Sequence, residues 1–73
     1  MTTATITAKT KAQIDRACAR SASEYNIISV ATTPRLLAYA KALGSATLMA
    51  NGEVDIMGQD ANGNRWRLTA WVA

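Results

Sequence analysis

The sequence predicts an α+β domain: a short N-terminal strand, two helices, then a three-stranded antiparallel meander with both helices packed on one face of its sheet. Two helix-start signals, at Thr10 and at Thr33, support this expectation, as does the triplet Ala-Asn-Gly, which occurs twice between strand-like segments. Apolar residues also alternate with polar ones through those segments, the pattern of a half-buried sheet.

A chain of 73 residues has room for one core, so residues 1–73 are expected to form a single domain. Domains this small bury only about 60% of their unfolded surface and often recruit a disulfide or a metal. Cys18 is the only cysteine, histidine is absent, and the five acidic residues show no zinc or calcium spacing. No cofactor or metal is therefore expected, and packing must hold the core, with dimerisation as a further aid. The lone thiol and the start MTTATITAKTKAQ, which lacks a signal-peptide pattern, point to a cytoplasmic protein. No apolar stretch approaches the roughly 20 residues that span a bilayer, so no membrane is expected.

Thr3–Ala8 is rich in β-branched residues and reads as an edge strand. Thr10 followed by Gln13 has the form of a capping box and opens the first helix. Ile14, Ala17, Cys18, Ser21, Ala22 and Tyr25 then fall on one stripe directed at the core. Asn26 is the expected helix end, and Ile27–Val30 fits either an extended linker or a short strand. Thr33-Pro34 supplies an N-cap and a first-turn proline, Leu36, Leu37, Ala40 and Leu43 share a face, and Gly44 is expected to close the second helix as its C′ residue.

Side-chain parity selects the hairpin loops. A two-residue Asn-Gly turn would set Ile56 opposite Thr69 and mix core with solvent on both faces. A three-residue loop, Ala61-Asn62-Gly63, with a left-handed glycine bulge instead sets Val54 opposite Ala70, Ile56 opposite Leu68 and Gly58 opposite Trp66, leaving space for the indole. The same treatment of Ala50-Asn51-Gly52 puts Leu48 beside Val54 and Ala46 beside Ile56. One apolar face over three strands results, on which the helices are expected to pack.

The opposite face carries Met49, Glu53 and Trp71 in one row, Thr47, Asp55 and Thr69 in the next, then Ser45, Met57 and Arg67, and last Gln59 and Arg65. A face built only for solubility would favour Thr, Lys and Glu, whereas Trp, Met and Arg are enriched at binding interfaces. Trp71, Arg67, Arg65, Met57, Asp55 and Met49 are accordingly the candidate protein-binding residues. In the bland alternative, Trp71 folds over the sheet or lies under the N-terminal strand, and the arginines neutralise Asp55 and Glu53 across strands.

Catalysis finds little support. The usual general base is missing, there is no nucleophile elbow or phosphate-binding glycine loop, and Cys18 sits mid-helix on the apolar stripe with no base to activate it. The expected function is thus non-enzymatic: a protein-binding module that occupies a site on a larger protein or ribonucleoprotein assembly. In size and style the chain resembles the inhibitors that phages and other mobile elements carry against host defence complexes, such as anti-CRISPR proteins.

Nucleic-acid binding is a second class. Net charge is +3, with +4 over residues 1–44 and −1 over residues 45–73. Lys9, Lys11, Arg16 and Arg20 would contact phosphates without sequence preference. The strand-helix-helix order of residues 3–44 resembles ribbon-helix-helix proteins, which implies Thr5, Thr7 and Lys9 directed at DNA and Thr33 at a phosphate. A third class is a structural homodimer assembled through the N-terminal edge strand.

Overall fold

A computed structural model describes residues 5–73 as seven elements: β1 (Thr5–Thr7), α1 (Lys11–Glu24), β2 (Ile28–Thr32), α2 (Pro34–Ala42), β3 (Ser45–Leu48), β4 (Val54–Gln59) and β5 (Arg65–Val72). Thr3 and Ala4 of the expected first strand lie outside the described residues. The class is α+β, but the meander is only part of a five-stranded mixed sheet of order β1-β2-β5-β4-β3. β2 runs parallel to both β1 and β5, whereas β3, β4 and β5 alternate in direction. Residues 26–32 therefore contain a strand, the open question of the sequence reading, and that strand moves β5 from the sheet edge to its centre.

Both hairpins have the loop that parity selects. Met49 and Asp60 N–H donate across the loop ends to Glu53 and Asn64 oxygens, and Gly52 and Gly63 take φ of 88° and 82°. Val54 pairs with Ala70, Ile56 with Leu68, Gly58 with Trp66, Leu48 with Val54 and Ala46 with Ile56. A Cβ on Gly58 would overlap the Trp66 ring, so the missing side chain is space occupied by the indole. Gly44 works the same way. It follows the C-cap Leu43 as expected, yet it has no left-handed φ; a Cβ there would overlap the Met57 carbonyl.

The even-numbered residues of β2, β4 and β5 form the core side of the sheet, where Ile28, Val30, Ile56, Leu68 and Ala70 are fully buried. Both helices pack there and touch each other. Thr10 closes its capping box with Gln13, and Thr33 caps α2 through Leu36 N–H. Two helices about 10 Å wide cover roughly four strands spaced about 4.8 Å apart. The fifth is left out: Ala46 and Leu48 on β3 are exposed, contrary to the expectation of a continuously covered face. No helix among the described residues is long and apolar enough to cross a membrane.

The end of α1 departs from the sequence reading in an instructive way. The C-cap is Tyr25, in left-handed backbone at φ 51°, with Asn26 just beyond. That turn swings Tyr25 off the apolar stripe and leaves it 91% exposed. It also sets the buried Ser21 hydroxyl 2.7 Å from Asn26 O and 2.9 Å from Arg67 O, where it accepts from Arg67 N–H at 2.8 Å. β2 begins opposite Leu68, one residue too late to serve Arg67, and Ser21 takes its place.

Replacing Tyr25 with glycine should relieve the left-handed cost and raise the free energy of unfolding by about 0.5–1 kcal/mol in urea titration. Ser21→Ala should lower it by about 1–3 kcal/mol, because buried backbone groups lose their partner. Hydrogen exchange at the Arg67 amide should rise in the same variant.

Candidate functional site

With both helices on one side, the odd-numbered strand residues form an open face. Across the sheet, Thr7, Ala31 and Trp71 make one row, continued by Glu53 and Met49; Thr5, Ser29, Thr69, Asp55 and Thr47 make the next. Trp71 sits on the central strand, half-buried among its neighbours, and no element among the described residues covers it. β1 does not fold over it: that strand lies two positions away in the same sheet and adds Thr5 and Thr7 to the face.

Arg67 and Asp55 meet diagonally across β4 and β5 in a two-pronged pair, Nε to Oδ1 and Nη2 to Oδ2, both at 2.9 Å. The carboxylate holds the Arg67 guanidinium above its usual pKa, chiefly through these hydrogen bonds. Asp55 is mostly covered while Arg67 stays about half exposed. Of the two expected neutralising pairs only this one forms; Arg65 and Glu53 make no ion pair among the described residues. Met57 and Met49 are 50% and 40% exposed.

At the α1 end of the sheet the open face runs into a groove of about 520 Å³, lined among others by Tyr25, Ile27, Met57, Arg65, Trp66 and Arg67. Three of the predicted residues, Met57, Arg65 and Arg67, thus share a concavity, and Trp71, Asp55 and Met49 extend from it along the face. Tyr25 and Ile27 are additions that sequence reasoning missed. The helical period placed Tyr25 in the core, and only the absence of a glycine before the β-branched run signalled an unusual helix end.

The basic residues are dispersed. Arg16 and Arg20 border a smaller depression beside Ile6 and Thr7, and Arg20 Nε pairs with Glu24 Oε1 at 3.1 Å. Lys11 turns toward α2, with Nζ 5.1 Å from the centre of the Tyr39 ring. Tyr39 in turn donates to Asp15 Oδ1 at 2.6 Å, which raises the phenol pKa. Lys9 is exposed in the turn before α1. In the ribbon-helix-helix order the two helices follow the strand directly, whereas here β2 stands between them and β1 pairs with it in parallel.

No family, curated protein or solved structure matches this chain. Its chemistry must be read from its own residues. Among the described residues no cluster of acidic, thiol or imidazole groups could hold a metal ion. Cys18 is 8% exposed, and burial, with Asp15 adding repulsion, pushes its thiol up to about 11. A thiol raised in this way favours the folded state below the ordinary thiol range, and the benefit is lost as pH rises toward that value. At pH 8 a thiol reagent should modify the folded protein at least about 100-fold more slowly than the denatured chain, as judged by stopped alkylation and mass measurement.

Proposed function

We propose that this protein is a non-enzymatic binding module that docks the open face of its sheet on a larger protein or ribonucleoprotein assembly and occludes a site there. The observation that carries this reading is one-sided coverage: the helices leave uncovered the face that holds Trp71, Met57, Met49 and two arginines. Interface energy concentrates in Trp, Tyr and Arg anchors held rigidly near the centre of a patch. Trp71 is on the middle strand of the described sheet, which has two strands to either side, next to Ala31, the smallest side chain of its row.

Arg67 is preorganised by Asp55, which fixes the guanidinium plane and leaves its outer donors free for a partner acceptor. Arg65, which makes no ion pair among the described residues, adds a cation to the groove lining. A chain without histidine and with its one thiol buried and protonated offers little for catalysis, and occlusion needs none. Small mobile-element inhibitors, which the chain resembles in size, act in this manner.

The test is capture of partners from lysate on immobilised protein, with and without nuclease. Wild type should retain a stoichiometric protein or ribonucleoprotein assembly, and Trp71→Ala or Arg65→Glu should weaken it by about tenfold or more, at least ~1.4 kcal/mol. Circular dichroism must show the fold intact in both variants. Unchanged capture by both would remove the site from this face, and nuclease-sensitive capture lost only in Arg16→Glu or Lys9→Glu would assign nucleic-acid binding instead.

A further inference from the structure

β3 ends the sheet: β4 pairs with one of its edges, and among the described residues nothing pairs with the other. Antiparallel alternation decides what that outer edge presents. Met49 N–H donates to Glu53 O at 2.8 Å, so Met49, Thr47 and Ser45 direct their backbone groups at β4. Ala46 and Leu48 therefore direct theirs outward. The side chains of these two residues share the helix-bearing side with Val54 and Ile56 but escape its cover, and Leu48 is 75% exposed. Leu43, at the end of α2, is 38% exposed beside them.

Exposed edges are normally blunted by lysine, proline, a bulge or an inward charge. Residues 42–52 contain no ionisable side chain and no proline, and the β3–β4 register is unbroken. We propose that this edge is a homodimer surface, on which β3 of two copies pairs antiparallel about a two-fold axis that passes between the Thr47 residues of the two copies, normal to the sheet. Such an axis keeps the faces aligned, so opposed residues must share parity, and outward-directed groups must meet outward-directed groups.

Centring on Thr47 satisfies both conditions. Ala46 of each copy then faces Leu48 of the second copy, giving four inter-copy N–H···O=C bonds and a small side chain opposite a large one. Each Leu48 also lies diagonally across from Gly44 of the second copy, where Leu43 closes α2. Because the segment is its own complement in this register, a second copy fits it better than an unrelated strand. The neutral run also lets two chains of net charge +3 meet without opposing like charges. So short a contact buries less than the roughly 1,200–2,000 Å² of a standard interface, and the dimer is accordingly weak. Its open faces lie on the same side of one continuous sheet, a geometry that stands whether or not those faces bind a partner.

Sedimentation velocity on the full chain from about 10 μM to 1 mM tests the proposal, since mass action must populate a weak dimer over that range. The average mass should climb from one chain toward two, with exchange protection rising at the Ala46 and Leu48 amides. Leu48→Lys should raise the dissociation constant at least tenfold. Ala46→Pro, which removes an outward donor without touching the β4 ladder, should do the same. A mass of one chain throughout, self-association indifferent to both substitutions, or protection rising at Thr5–Thr7 instead would each overturn it.

Discussion

β5 is hydrogen-bonded along both edges, to β4 in antiparallel register and to β2 in parallel. The second of these pairings is the constraint on which the remainder depends. It holds Leu68 and Ala70 at the middle of the core, beneath α1, and carries Trp71 to the middle of the opposite face. It also joins the parallel β1-α1-β2 unit to the antiparallel meander. With β5 at an edge, as in an isolated meander, Trp71 would sit on a rim and the two helices would cover all three strands.

Space and hydrogen bonding around β5 are closely matched. Trp66 fills the gap left by Gly58 on β4 and reaches Gly44, just before β3, where the Met57 carbonyl takes the space a side chain would need. Ser21 completes the ladder at Arg67, where β2 has not yet begun. The backbone of Arg67 is thereby fixed from the core side while its guanidinium is fixed by Asp55 on the open side. One residue thus links the packing of α1 to the geometry of the candidate interface, and no buried side-chain polar atom among the described residues is left without a partner.

The shortage of helix also shapes the exposed surface. Two helices leave the core-side residues of β2, β5 and β4 buried but Ala46 and Leu48 of β3 exposed, so among the described residues apolar area remains uncovered on the open face around Trp71 and at the β3 edge around Leu48. Single exposed apolar residues need no explanation, whereas grouped ones mark contacts. The two surfaces differ in character. Arginine and tryptophan on a rigid strand suit a chemically specific partner, while a neutral edge with alternating outward backbone groups suits strand pairing.

By itself the sequence determined the local structure: both caps, both three-residue hairpin loops, the register of β3, β4 and β5, and hence which residues share the Trp71 face. Each follows from interactions within a few residues or across one short turn, where turn glycines, cap hydroxyls and side-chain parity suffice. Only the tertiary structure decided that Ile28–Thr32 is a strand, that it lies parallel against β5, that Tyr25 leaves the core and that β3 stays uncovered. Parallel pairing joins segments some 40 residues apart with no turn to set register, and Ile27–Val30 carries the same β-branched composition whether extended against solvent or paired. Its partner is chosen by the shape of the whole core, which no local pattern records.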